Sequence, residues 1–265
     1  MDIASGVADL NGSKLYYESA GRGPAIVLLN GGGLDCRMWD DQFAAFAGLY
    51  RVIRYDYRGS GRSEPATEKY SQLDDLHALL GFLKVEIAVL VGASAGGALA
   101  LDYALAYPKR VRGLVLASPG LSGHQLSEAN QKRIAAMLTA AREGNALEFA
   151  KKVLEDPHFI PATENPPARE KTRQILVENI ERFRAEDLAQ PPERPAAGRL
   201  AEIGVPALIL LGGRDHPEQL TIGELLESGI RGSKTVVFFG AGHMVNLENP
   251  DRFNKTVLEF LAERG

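Results

Sequence analysis

The sequence predicts an α/β fold, a mostly parallel eight-stranded sheet with helices on both faces, and three observations carry that expectation. Short apolar runs of strand length recur along the chain, and several intervals between them have helical spacing. The 265 residues are 45% apolar and 24% charged, the balance of an ordinary folded domain. Runs that are apolar at nearly every position indicate strands covered on both faces, as in a parallel sheet flanked by helices. At this length one core can still bury roughly 70–75% of the unfolded surface, so one large domain is expected rather than two small ones.

The start of the chain departs from the parallel pattern. In VADLNGSKLYYES polar and apolar residues mix around Asn11-Gly12, a hairpin signal that predicts two antiparallel edge strands. Strands are then expected at 25–29 (AIVLL), 51–55 (RVIRY), 87–91 (IAVLV) and 111–117 (VRGLVLA), with helices over 73–84 and 97–107 supplying right-handed crossovers. The runs at 207–211 (ALILL) and 235–239 (TVVFF) bring the sheet to about eight strands. Between Ala117 and Val205 lie about 87 residues, far more than one crossover helix needs. That interval carries three helical patterns: Ile134, Leu138 and Ala141; Leu147, Ala150 and Leu154; Leu176, Ile180 and Phe183. Prolines 157, 161, 166, 167, 191, 192 and 195 punctuate them. Residues 118–204 are therefore expected to form a small helical lid inserted after the sixth strand, on a core of 1–117 and 205–265. The plainer alternative is that these helices simply cover the sheet.

Composition removes several function classes. Thirty Lys and Arg against 34 Asp and Glu give a formal charge of −4 with no block of five or more like charges, so nothing recruits nucleic acid electrostatically. Cys36 stands alone, the first residues show neither a basic start nor a signal-like apolar run, and the longest apolar stretches are about five residues. Spanning a bilayer takes roughly 20. The expectation is a soluble cytoplasmic protein with a small-molecule substrate, no membrane or nucleic-acid partner and no cofactor, as a monomer or a homodimer. Dispersed histidines and one cysteine offer no metal-ligand spacing.

The chemistry concentrates where IAVLV runs into Gly92-Ala93-Ser94-Ala95-Gly96-Gly97 and a small-residue helix follows. This is the G-x-S-x-G pattern in the strand–turn–helix context that lifts a serine hydroxyl clear of the backbone. Glycines at 92 and 96 let helix and strand approach, and the helix N-terminus favours developing negative charge. A nucleophilic serine needs a base, and the histidines are 77, 124, 158, 216 and 243. His77 falls in a surface helix, and His124 and His158 in the lid, where solvated or packing roles are expected. His216 neighbours Asp215. His243, in Gly240-Ala241-Gly242-His243, lies beyond the carboxyl end of the last strand, where functional loops of open α/β sheets gather. Asp215 follows the preceding strand by four residues, on the same side, and is the expected orienting acid. The roles are then those of acyl transfer: Ser94 attacks, His243 moves the proton, and Asp215 fixes the imidazole. Oxyanion donors are expected at the Ala95 N–H and in the loop Asn30-Gly31-Gly32-Gly33, at Gly32, with Gly31 and Gly33 facing the substrate. That loop fits neither G-x-G-x-x-G nor a Walker loop.

With those residues in place, the chain resembles the α/β-hydrolase superfamily over essentially its whole length. The order Ser94, Asp215, His243 is that family's order. NGGGLDCRMWDDQ is similar to its oxyanion loop, YDYRGSGRS to its D-x-R-G-x-G-x-S turn, and GAGHMVNLENPDRFNKTVLEFL to its histidine loop and last helix. Asn30 stands where most relatives carry His, which changes the side-chain support of the oxyanion loop. Asp56, Arg58, Gly59 and Gly61 are expected to hold a turn together. A serine rather than an aspartate at the elbow argues against the haloalkane dehalogenase and epoxide hydrolase branches. The resemblance implies a serine hydrolase of small carboxylic esters or lactones. Carbon–carbon bond hydrolases of diketone ring-cleavage products come second, and hydrolase-fold ligand receptors third. The lid should give a mainly apolar pocket suited to uncharged substrates, with Arg133, Arg142, Arg169, Arg173, Arg182 and Arg184 mostly on solvated helix faces.

Overall fold

A computed structural model describes residues 2–160, 165–180 and 188–263. Its centre is an eight-stranded sheet in the order β1-β2-β4-β3-β5-β6-β7-β8. The strands are β1 (Ile3–Leu10), β2 (Ser13–Ala20), β3 (Ala25–Leu29), β4 (Arg51–Tyr55), β5 (Ala88–Ala93), β6 (Val111–Ala117), β7 (Ala207–Gly212) and β8 (Lys234–Phe238). β1 and β2 form the hairpin announced by Asn11-Gly12, which turn with φ of 50° and 73°, the positive pair a tight two-residue turn requires. β2 also runs antiparallel to β4, and every pairing from β4 to β8 is parallel. Ile87 and Phe239, at the ends of two apolar runs, lie outside the ladder and are exposed, while β5 runs on to Ala93, β7 runs on to Gly212 and β8 begins at Lys234.

Alternation along the strands separates two cores. Ile26 and Leu28 pack on one face, with Phe43 and Phe46 of α1 (Asp40–Phe46) and Phe253 and Val257 of the C-terminal helix Pro250–Ala262. Val27 and Leu29 pack on the other, with Leu76 and Leu79 of α2 (Gln72–Phe82) and Leu99 and Tyr103 of α3 (Ala95–Ala106). Each such side chain contributes roughly 1.5–3 kcal/mol when fully buried. A one-residue slip would exchange the faces, so the register is strongly specified, and with it the positions of the strand ends that carry the site.

Between β6 and β7 lie α4 (Glu128–Arg142), α5 (Ala146–Glu155) and α6 (Pro166–Glu178). Each opens on a side-chain cap: Ser127 accepts from the Asn130 N–H, Asn145 from Glu148 and Asn165 from Ala168. Pro166 and Pro167 occupy the first turn of α6, where no N–H is needed. Ala141, Phe149, Ala150, Leu154 and Leu176 join the cluster that holds Ile26 and Leu28. Two details depart from the periodicity. Leu147 is 65% exposed, and α6 ends at Glu178, so Ile180 falls beyond it and Phe183 lies outside the described residues. The early end has a tertiary cause. The buried side chain of Asn179 donates to the Gly33 carbonyl and Asp35 Oδ2 and accepts from the Gly61 N–H, which ties the chain to the core loops.

Candidate active site

β5 enters the turn at Ser94 with φ 51° and ψ −115°, a conformation that costs a non-glycine residue of order 1–3 kcal/mol. Neighbouring contacts hold it there. The Ser94 N–H donates to the Ala117 carbonyl at 3.0 Å, and the Ser94 carbonyl accepts from Gly97 and Gly120 at 2.9 and 2.8 Å. The glycines are required by close approach: a Cβ on Gly92 would lie 2.3 Å from the Gly96 oxygen, and one on Gly96 would lie 2.2 Å from the Leu29 oxygen. α3 begins at Ala95, whose N–H is among those a helix leaves without an internal partner.

The loops after β7 and β8 interlock. A Cβ on Gly212 would fall 1.8 Å from the Gly242 oxygen, and Arg214 donates its N–H to the Ala241 carbonyl at 2.9 Å. This places His243 Nδ1 3.0 Å from both carboxylate oxygens of Asp215, a residue only 3% exposed. Asp215 Oδ1 also accepts from the His216 N–H at 2.7 Å. The His243 N–H is shared between the carbonyls of His158 and Phe159 at 2.9 and 2.8 Å, so backbone and side chain are both fixed. A carboxylate facing Nδ1 assigns the ring proton there and leaves Nε2 as the base. Burial lowers the pKa of His243, but the charge and hydrogen bond of Asp215 outweigh it and the net shift is upward.

Glu248 supports this loop from behind. Its oxygens lie 3.0 and 3.1 Å from the Gly242 N–H, and burial, reinforced by the nearby charge of Asp215, pushes its pKa up to about 7. The protonated form is thus favoured in the folded chain: its stabilisation is complete below the ordinary value of 4.5 and is lost as pH rises through about 7. Glu248→Gln keeps an acceptor for Gly242 and removes the titration. Denaturant unfolding should find this variant more stable than the wild type at pH 8, by up to about 3 kcal/mol, with little difference at pH 4. A variant weaker at pH 8 than at pH 4, relative to wild type, would mean that the anion itself holds the loop.

Ser94, Ala95, Gly32, Asp215 and His243 all border one cavity of about 500 Å³. Gly31 and Gly33, expected against substrate, are not among its lining residues. The Gly31 N–H donates to Met38 Sδ, its carbonyl accepts from Leu34, and the Gly33 carbonyl accepts from Asn179, so both peptides shape the loop. Asn30 is fully buried and donates from Nδ2 to the Tyr55 carbonyl at 2.8 Å, while its own carbonyl accepts from the Tyr57 hydroxyl. That side chain anchors the loop to the end of β4. Asp56 accepts from the Cys36 and Arg62 N–H groups, and Arg58 makes two 2.7 Å bonds to Asp75, so the second glycine-rich turn is a structural knot. Asp35, Cys36 and Asp56 come within 4.8 Å of one another, but both carboxylates are committed to N–H donors and burial pushes the thiol pKa up, a poor donor set for a cation.

The cavity roof is Ile134, Met137 and Leu138 of α4 with Phe149 and Val153 of α5. Its polar members were not expected there. Arg133 borders the cavity while its side chain stays 33% exposed, bonded to Asp156 at 2.6 Å and to Asn130 at 2.9 and 2.7 Å, and His124, His158 and His216 line it as well. Helical spacing carried a hint, since Arg133 adjoins Ile134 and precedes Met137 by one turn, but its partner Asp156 is 23 residues away. Arg173 is the exposed residue expected, paired with Glu170, whereas Arg169 turns inward onto the carbonyls of Ile160 and Leu154. Arg182 and Arg184 lie outside the described residues.

The family model of the alpha/beta hydrolases matches residues 26–256. The chain belongs to that family. Among its curated relatives is the 2-hydroxy-6-oxononadienedioate/2-hydroxy-6-oxononatrienedioate hydrolase of Paraburkholderia phymatum, 32% identical over 94% of this chain and 91% of that protein. Among solved structures it is similar to the enol-lactonase of Burkholderia xenovorans LB400, with TM-score 0.84 and 29% identity over 97% of this chain and 100% of the other. It is also similar to a thermophilic esterase of Thermogutta terrifontis, with TM-score 0.83 and 27% identity over 99% of both chains. The eight-stranded sheet with its antiparallel first hairpin is this family's fold.

Proposed function

We propose that this hydrolase cleaves a small carboxylic ester or lactone through an acyl-enzyme on Ser94. The observation that carries the reading is the double 3.0 Å approach of Asp215 to His243 Nδ1, on the cavity that Ser94 borders from its strained turn. His243 Nε2 takes the Ser94 proton as Oγ attacks the carbonyl carbon, then delivers it to the departing alkoxide. Asp215 stabilises the imidazolium between those steps. The N–H groups of Gly32 and Ala95 hold the oxyanion, aided by the N-terminus of α3. Water then repeats the sequence and releases the acid. Residues 118–204 act as the lid that selects the acyl compound, and the reading places the protein in the cytoplasm, as monomer or homodimer, with no cofactor. Among the described residues no helix is long and apolar enough to cross a membrane.

An uncharged substrate is favoured because Arg133, the arginine on the cavity wall, is already paired with Asp156. A dienedioate, such as the relatives' names describe, brings two carboxylates that would compete for that cation. Carbon–carbon bond hydrolysis is the second reading, supported by the 32% relative. Turnover should be measured with short-chain esters, lactones and vinylogous diketones side by side. Ester or lactone kcat/KM above that for diketones by at least about tenfold, a 1.4 kcal/mol preference, is expected. The reverse order would assign the carbon–carbon reaction, and tight binding without turnover would assign a receptor.

A further inference from the structure

A second cavity, of about 320 Å³, adjoins the first, and Ala95, Ala98 and Ser122 border both. Its floor is one face of α3, where Ala95, Ala98, Leu99 and Asp102 recur at helical spacing. The first two are small, so nothing bulky stands on the floor beside Ser94. One wall is the start of α2, Ser71 and Gln72. A second stretch of wall is Ala189–Pro192, held by a bridge between Tyr70 and Ala189 and by the Gln190 N–H on the Tyr70 carbonyl at 2.7 Å. On the same face of α3 Asp102 is 8% exposed and accepts from the Ser122 hydroxyl at 2.5 Å, while Ser122 Oγ accepts from the Ala196 N–H at 2.7 Å. Burial raises the Asp102 pKa to about 6, which leaves a carboxylate acceptor above that pH.

An ester has two limbs, one on each side of the reacting carbon; Ser94 borders the larger cavity, and its chain neighbour Ala95 borders both. The roof of the larger one is apolar; the smaller is edged by Ser71, Gln72, Gln190 and Asp102, which offer hydroxyl, amide and carboxylate groups. Resting on the ester reading above, we infer that the larger cavity takes the acyl limb and the smaller takes the leaving alcohol, so that the preferred substrate is an open-chain ester of an apolar acid with a small hydroxyl-bearing alcohol. A free hydroxyl on the alcohol limb donates to acceptors on the cavity wall, where a plain alkyl limb leaves those groups unmatched.

The test uses two ester series on the full chain. One holds the acid as butyrate and varies the alcohol through methyl, butyl and 2,3-dihydroxypropyl. The other holds methyl and lengthens the acid. Wild type should favour the dihydroxypropyl over the butyl ester by about tenfold in kcat/KM. Gln72→Trp fills the smaller cavity from the α2 wall, and Gln190→Trp fills it from the Ala189–Pro192 wall, where Gln190 is exposed. Both should lower kcat/KM for the two longer alcohols relative to the methyl ester by about tenfold or more, with the acid-length order of the methyl esters unchanged. Turnover of methyl esters with no dependence on the alcohol, or variants that shift the acid-length order instead, would overturn the subsite and leave the ester reading intact. No turnover of any ester, with diketones cleaved, would instead overturn the reading on which the subsite rests.

Discussion

On the proposed ester reading, Ser94→Ala should remove hydrolysis, with kcat falling by roughly 10⁴- to 10⁶-fold, because alanine leaves the elbow without a hydroxyl to be acylated. The fold should survive. The Ser94 backbone contacts all run through its N–H and carbonyl, which alanine retains. The backbone strain can be read separately. At φ 51° glycine is at ease, so Ser94→Gly should also be inactive yet unfold at a higher temperature than Ser94→Ala, by about 1 kcal/mol of stability. Near-wild-type turnover in either variant would remove Ser94 from the chemistry.

Asp215→Asn should keep the fold and lower kcat by roughly 10³- to 10⁴-fold, since an amide lets the imidazole adopt the tautomer with its proton on Nε2. The pH profile distinguishes this from general damage. In the wild type Asp215 raises the pKa of His243 against the opposing effect of burial, so kcat/KM should rise with pH through a midpoint above 6.5. Without the carboxylate the main opposition to burial is lost and the midpoint should fall below that of the wild type. Linkage gives a second readout. Stabilisation by the protonated His243 with Asp215 is fully present below pH 6.5 and is lost as pH rises through the higher folded-state pKa. The stability gap between wild type and Asp215→Asn should therefore narrow on the alkaline side. A gap that widens with pH would contradict the ion pair.

What the sequence disclosed was chiefly what local chemistry decides. Asn11-Gly12 announces its hairpin because few other dipeptides accept positive φ twice, and Gly92-x-Ser94-x-Gly96 announces the turn because a Cβ at either glycine collides with backbone. The positions of Asp215 and His243 past strand ends were legible for the same reason, since strand direction fixes the side on which they emerge. What escaped was set by partners remote in the chain. α6 stops at Glu178 because Asn179 is claimed by Gly33, Asp35 and Gly61, and helical periodicity carries no trace of that. Arg133 reads as a solvated residue until Asp156, at the end of the next helix, pairs with it over the cavity. Gly32 was expected as the oxyanion donor with Gly31 and Gly33 against substrate, and spacing carries no trace of the loop bonds made by the Gly31 N–H and the Gly33 carbonyl. Glu248 sits within the histidine-loop segment, yet its grip on Gly242 depends on a reversal of the chain that spacing alone does not express.

The covalent acyl-enzyme is best tested by rapid-quench mass spectrometry of the wild-type chain during turnover of a butyrate ester, followed by peptide mapping. The account predicts a transient mass increase equal to the acyl group, confined to the peptide that contains Ser94, and prolonged in Asp215→Asn, where attack by water is slowed. Acylation on a different residue, or steady turnover with no acylated peptide at any time point while Ser94→Ala retains activity, would contradict it.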